Sequence, residues 1–329
     1  MKIIPLTQRT PEWHQWRAKG VTASEAPIIL GRSPYKTPRQ LWAERTGAAT
    51  PEDISRKPCV QRGIKMEDQV RQGFEDRHST ILLPFCAEST QHSVLRASLD
   101  GLSDDGEPVE LKVPTEKTYR AIVAQGDQAT AYQLAWVQLQ HQLYVTGAAQ
   151  GWLVFDPCLP DQPSLEFYIN RDDQFIDTEL VPACLQFWES IKTGTAPATD
   201  PERDVYVPDD AQWHEAAQVY RALMQDRHRL EQQLKPIKDQ LAQAEATFVE
   251  LMGNHLLAEA AGVRVTRYQQ QGSVDYASLL VELDVDPAVL EQHRRKASDR
   301  VKVTLQSTDQ APLVKPAHQP VASAQSFYF

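Results

Sequence analysis

The sequence predicts a mixed α/β (α+β) fold, with strands and helices interspersed over residues 1–195 and a mostly helical extension behind them. Three observations carry that prediction. Short apolar and polar runs alternate through 80–102 as an antiparallel meander requires. Amphipathic helical patterns lie on either side of it, at 58–76 and 131–145. Beyond a stretch rich in Pro, Thr, Ala and Asp, apolar residues keep largely to steps of three and four from Trp213 to Leu251, as a coiled coil or helical hairpin would. The expected division is a first domain at 1–195, a linker at 196–209, an extension at 210–305 and a tail at 306–329.

Residues 8–20 carry the signals of a helix: Thr10 as N-cap, Pro11 at the first helical position, Glu12 in the first turn and Gly20 at the end. Trp13, Trp16 and Arg17 bring aromatic and guanidinium groups into one neighbourhood. From Val21 a second helix is expected to start, capped by Thr22 or Ser24. Its free N–H groups, completed by Arg17, would make a phosphate cradle; the alternative is an ordinary capped helix. The loop at 31–38, with Tyr35 and Lys36, either tracks a DNA backbone or is a solvated connection, and a helix at 38–46 follows it. In the long helix at 58–76, Met66, Val70 and Phe74 mark the buried stripe, with Glu67 at its edge.

The meander ends in the strand 98–102, which the polar turn 103–106 joins to a strand at 107–112. On that second strand Glu110 and Lys112 leave one face, while Val109 and Leu111 face the opposite, buried side. Asp100 can come alongside them. Two carboxylates and an ammonium converging there are costly unless something binds, and a divalent cation resolves the conflict. Pro114 ends the strand. The helix at 131–145 places Leu134, Val137, His141 and Tyr144 on one side. Its amides at Gln138 and Gln140 are suited to a strand carboxylate, a water held by a metal, a DNA base or plain solvent. Strands at 151–156 and 165–169 and a helix at 172–192 close the first domain. In the extension Pro236 predicts a kink or break. A strand at 263–268, helices at 275–283 and from Asp286 onward, and a strand at 301–305 are expected next. The tail, rich in Pro, Ala, Gln and Ser, is expected to be disordered up to its aromatic end, Phe327-Tyr328-Phe329.

A formal net charge of −10 argues against a protein that coats nucleic acid indiscriminately, though not against a DNA enzyme, for which the placement of charge matters. The charge is uneven. Residues 1–65 hold 12 Lys/Arg against 5 Asp/Glu, whereas the remainder holds 22 against 39. This is either a basic front able to meet phosphates or a chance clustering. The sequence has no apolar run long enough to span a bilayer, and its first residues lack the apolar core of a signal peptide, so a cytoplasmic protein without a membrane role is expected. Cys59, Cys86, Cys158 and Cys184 are scattered without zinc-site spacing and are expected to stay reduced.

Asp100 followed by Glu110-Leu111-Lys112 resembles the D-(x)n-E-x-K core of the PD-(D/E)XK nucleases, a motif of low specificity by itself. Its surroundings sharpen it. Trp13-His14-Gln15-Trp16-Arg17, Val21-Thr22-Ala23-Ser24-Glu25, Arg62-Gly63 leading to Glu67, Ser98-Leu99-Asp100-Gly101, Glu110-Leu111-Lys112 and Gln138-Leu139-Gln140-His141-Gln142 occur in this order. As a set over about residues 8–195 they resemble the phage lambda exonuclease family, the YqaJ-like viral recombinase nucleases.

That resemblance implies a restriction-endonuclease-like core, a central mixed sheet flanked by helices. It also implies a Mg2+-dependent exonuclease that digests linear duplex DNA from 5′ to 3′ and leaves 3′ single strands for recombination. Asp100, Glu110 and the Leu111 carbonyl would hold metal, with Glu67 completing the acidic site; Mn2+ would substitute, and two ions are expected. Lys112 would orient or deprotonate the attacking water, and Gln138 matches the active-site glutamine. Arg17 and Ser24 match positions that hold the terminal 5′-phosphate; Trp13, Tyr35 and Lys36 join them as candidate DNA contacts. A single-strand annealing protein and a homo-oligomeric ring are the implied partners. The sequence departs from the pattern at Leu99, where proline is usual, and in its region after about residue 200. The alternatives are a structure- or site-directed endonuclease on the same core and a non-catalytic DNA-end-binding recombination scaffold.

Overall fold

A computed structural model describes residues 1–54, 56–294 and 303. They fall into two units, Met1–Tyr206 and a second that starts at Val207. The first unit contains β1 (Lys2–Ile4), α1 (Pro11–Ala18), β2 (Val21–Thr22), α2 (Ala26–Ile29), α3 (Pro38–Arg45), α4 (Pro58–His78), β3 (Phe85–Glu88), β4 (Leu95–Leu99), β5 (Gly101–Leu102) and β6 (Pro108–Lys112). It continues with α5 (Glu116–Gln125), α6 (Thr130–Thr146), β7 (Gln150–Phe155), β8 (Leu165–Asn170), α7 (Asp173–Phe175) and α8 (Val181–Thr193).

Two mixed four-stranded sheets result, ordered β1-β3-β4-β2 and β5-β6-β7-β8. In the first, β2 runs parallel to β4; in the second, β6 runs parallel to β7. A parallel pair needs a crossover, and α5 with α6 supplies it between β6 and β7. The chain passes from one sheet to the other at a single residue, because β4 ends at Leu99 and β5 begins at Gly101. Asp100 is that residue. The meander strand expected over 98–102 is therefore broken where its carboxylate stands.

Sequence signals for the helices of this unit mostly translate directly. Thr10 accepts the Trp13 N–H and caps α1, and Thr37 accepts the Gln40 N–H and caps α3. The second helix begins later than expected. Val21 and Thr22 pair with β4, a single turn of 3-10 helix follows, and α2 starts at Ala26. Gly20 before it is required by close approach, since an added Cβ would lie 2.3 Å from the Val94 carbonyl. In the turn between β5 and β6, Gly106 adopts φ +79°, a left-handed backbone that glycine adopts without penalty.

α6 is buried on almost every side. Val137, Tyr144 and Val145 join one core with Leu95, Leu99, Ile176 and Phe187, while Leu139 and Leu143 join another with Ile122, Leu153 and Phe155. A third core packs Val70 and Phe74 of α4 on Val109, Leu111 and Val154. The central strands β6 and β7 are thus covered on both faces. This corrects the expectation of one polar face on β6, where Glu110 and Lys112 are as buried as Val109 and Leu111.

His141, also on α6, is enclosed, and burial lowers its pKa from 6.5 to about 4. The ring is neutral in the folded chain and takes up a proton on unfolding at mildly acid pH. Its contribution to stability is complete above about pH 6.5 and declines as pH falls toward 4, by about 2 kcal/mol between pH 7 and 5. Urea denaturation at the two pH values should show this loss in the native chain. In His141→Leu that part of the loss should vanish.

The stretch expected as a linker is partly anchored. Thr37 donates its hydroxyl hydrogen to Asp204 at 2.5 Å, Arg203 donates to the Ser33 carbonyl at 2.6 Å, and Gln40 donates to the Arg203 carbonyl at 3.0 Å. The first unit accordingly runs to Tyr206. The second unit contains α9 (Ala211–Leu251), a hairpin of β9 (Leu257–Ala260) and β10 (Val263–Thr266), α10 (Tyr276–Glu282) and α11 (Pro287–Gln292). α9 runs through Pro236 without a break. Proline forfeits one backbone hydrogen bond there, and the turns on either side keep theirs. The strand expected at 301–305, Val303 apart, and the tail with its aromatic end lie outside the described residues. Among the described residues no helix is long and apolar enough to cross a membrane.

Candidate active site

The antiparallel register of β5 on β6 pairs Gly101 with Val109, which brings Asp100 alongside Glu110. The Leu111 N–H donates to Asp100 Oδ2 at 3.0 Å. Two residues along β6, Lys112 Nζ lies 2.6 Å from Glu110 Oε1. The ion pair is almost sealed, with side-chain exposures of 4% and 2%. Such a pair is stable only if its remaining hydrogen-bonding groups are satisfied, and α6 does that. Gln138 Nε2 donates to Glu110 Oε1 at 2.7 Å while its Oε1 accepts from Lys112 at 3.2 Å. Gln142, one turn later on the same face, donates to Glu110 Oε2.

Asp100 is the strained member of the group. Burial raises its pKa well above the ordinary carboxylate range, and the nearby Glu110 and Glu67 carboxylates push it further, against the opposing effect of Lys112. Glu67 comes from α4 and is held by Arg71, which donates to Glu67 Oε1 at 2.9 Å and to the Asp100 carbonyl at 3.2 Å. Arg9 donates to the other Glu67 oxygen. Among the described residues no three His, Cys, Asp or Glu side chains form a ready-made metal cage. The donor set nevertheless suits a hard divalent cation: carboxylate oxygens whose mutual repulsion such an ion would relieve.

A second cluster lies on the same side of β4. Arg17 donates to Ser24 Oγ at 2.9 Å and to Thr22 Oγ1 at 3.2 Å, and its guanidinium carbon stands 4.6 Å from the centre of the Trp13 ring. Trp13 in turn donates to Ser98 Oγ at 2.8 Å, two residues before Asp100. Burial lowers the Arg17 pKa, with Glu25 opposing from a distance. Glu25 itself pairs with Arg45 at 2.5 Å and accepts the Thr22 N–H at 2.9 Å. Arg17 is thus a desolvated cation whose hydrogen-bond partners among the described residues are neutral hydroxyls.

Trp13, Arg17 and Ser24 therefore come together, and so do Asp100, Glu110, Leu111, Lys112 and Gln138, with Glu67 beside them. Lys36 does not join either cluster. It pairs with Glu44 at 2.6 Å across the turn into α3, and the Tyr35 N–H donates to Ser33. Gln140 serves a structural end, donating to the Asn170 carbonyl and accepting the Asp172 N–H, both at 2.9 Å, so that it fixes the turn after β8. Sequence reasoning missed Gln142, Arg71 and Arg9. Only Gln142 had a signal, its four-residue spacing from Gln138.

Residues 12–149 match the model of the YqaJ-like viral recombinase domain. The chain is 30% identical over 192 residues to the uncharacterized protein YqaJ of Bacillus subtilis (strain 168), an overlap of 57% of this chain and 59% of that relative. It thus spans about three fifths of the length of the curated relative it matches. Among solved structures, it overlaps an alkaline exonuclease (LHK-Exo) from Laribacter hongkongensis with a TM-score of 0.49 at 23% identity, covering 56% of this chain and 94% of that one. A phage related exonuclease from Haemophilus somnus 129PT overlaps with a TM-score of 0.39 at 13% identity, over 54% and 96% of the two chains. The stretch at 12–149 that matches the YqaJ-like viral recombinase domain holds Arg17, Ser24 and the whole acidic cluster.

Proposed function

We propose that this chain is a metal-dependent deoxyribonuclease that digests one strand of linear duplex DNA from its 5′ end and leaves 3′ single strands for phage-type recombination. The observation that supports this reading most is the conjunction of Asp100, Glu110 and Lys112 at the junction of two sheets, with Gln138 bonded to both members of the ion pair. Asp100, Glu110 and the Leu111 carbonyl would hold Mg2+, with Glu67 completing the set; Mn2+ would substitute, and a second ion suits the same carboxylates. A bound ion supplies charge neutralisation at the phosphate and acidifies the attacking water. Lys112 orients that water or takes its proton, and Gln138 keeps Lys112 and Glu110 in register. Arg17 and Ser24 hold the terminal 5′-phosphate. Phosphodiester hydrolysis needs on the order of 20 kcal/mol of barrier lowering, so these contributions must act together. A single-strand annealing protein and a ring of copies around the duplex belong to the same reading and rest on family resemblance.

Digestion of linear duplex labelled at one 5′ or one 3′ end, with Mg2+, tests it. The 5′ label should leave as mononucleotide early while the 3′ label stays on a shortening strand. Closed circular DNA cut as fast as linear DNA would replace the reading with an endonuclease. DNA bound without any Mg2+-dependent product would replace it with a scaffold.

A further inference from the structure

Arg9 is a residue that the packing of the first unit does not account for. Its backbone is left-handed, with φ +67°, a conformation that L side chains rarely adopt. The segment around it is pinned. Gln8 donates its amide hydrogen to the Leu99 carbonyl at 2.8 Å, and Thr10 donates to the Thr7 carbonyl at 3.0 Å before capping α1. The guanidinium so positioned meets Glu67 at the edge of the acidic cluster. Glu67 does not depend on it, because Arg71 already holds its other oxygen. Arg71 is fully engaged, with bonds to Asp68 and to the Asp100 carbonyl as well. Arg9 remains 49% exposed with Glu67 as its one partner among the described residues. An ion pair that open contributes less than a left-handed backbone costs, and strain of this kind collects where a site needs a side chain held ready.

We infer that Arg9 is a DNA-phosphate ligand of the acidic cluster, parked on Glu67 in the free protein and passed to a backbone phosphate when DNA enters. A backbone phosphodiester offers the guanidinium fork the same paired oxygens and the same single negative charge that a carboxylate does. The exchange frees Glu67 for the centre. This inference rests on the nuclease reading above.

The test measures binding of fluorescent linear duplex in EDTA from 50 to 200 mM salt, together with thermal denaturation, for the native chain, Arg9→Gly and Arg9→Lys. Glycine relieves the left-handed backbone, so Arg9→Gly should melt no lower than the native chain. It should bind DNA about tenfold more weakly at the low-salt end. Its plot of log affinity against log salt should be shallower by about 0.9, the loss of one phosphate contact, which means about threefold less weakening across that range. Arg9→Lys should recover the slope. Unchanged affinity and slope in Arg9→Gly, or a lower melting temperature without a change in slope, would overturn the inference. A native chain that digests linear DNA while Arg9→Gly keeps its slope removes this inference alone; a native chain that neither binds nor digests DNA removes the nuclease reading with it.

Discussion

Lys112→Ala is expected to abolish DNA cleavage, lowering kcat by about 10³-fold or more, while duplex binding stays within about threefold of the native chain. The reasoning follows from its surroundings. Lys112 is buried against Glu110 and Gln138, so it has little surface to offer a distant phosphate, and its ammonium can act only on atoms that enter the cluster. Breaking a buried ion pair commonly costs about 3–5 kcal/mol. Here Gln138 and Gln142 still donate to both oxygens of Glu110, so the loss in stability should fall below that range. Lys112→Met, which keeps the aliphatic stem, separates chemistry from packing. Both variants should be equally inactive, with Met the more stable in urea. Retention of a tenth of native turnover by either would remove Lys112 from the mechanism.

Arg17→Ala should erase the preference for a 5′-phosphate. In the native chain a phosphorylated 5′ end should be digested about 10- to 100-fold faster than a 5′-hydroxyl end, the worth of one charge-assisted contact to a half-buried guanidinium. The argument rests on a cation whose described hydrogen-bond partners are only the Ser24 and Thr22 hydroxyls and whose desolvation an incoming anion would offset. Arg17→Lys keeps the charge but not the fork, and should give an intermediate preference. Digestion rates on the two kinds of end, compared among the three proteins, check this. Equal preference in the native chain and in Arg17→Ala would assign Arg17 a purely structural role.

The site was more legible than the architecture that builds it. The two-residue period of Glu110 and Lys112 on a strand, and the Asp100 that precedes the turn, are local patterns, and they survive into the structure. The cap and proline that open α1 are local too. What the sequence concealed is non-local. α6 is buried on nearly all sides, its glutamines and His141 spread among apolar residues, so no one-sided stripe says which face lies over Glu110, and the burial of that face could not be read. β2 is two residues long and exists only because Val21 and Thr22 find Leu95 and Arg96, more than 70 positions away. Thr22, one of the two caps expected for a helix there, instead forms a capping box with Glu25 on a short turn after a strand. Lys36 drew attention by its charge and loop context, and it pairs with Glu44, two helix turns past the cap. α5 carries a local signal of its own, with Thr115 as its cap and Glu116 in its first turn, and was not among the expected elements.

Diffraction from crystals grown with Mn2+ and measured at the manganese absorption edge tests the central claim most directly. An anomalous peak between the Asp100 and Glu110 carboxylates, in contact with the Leu111 carbonyl and lost in Asp100→Asn, is the predicted result. Manganese bound elsewhere, with both carboxylates unligated and DNA still digested, would contradict it.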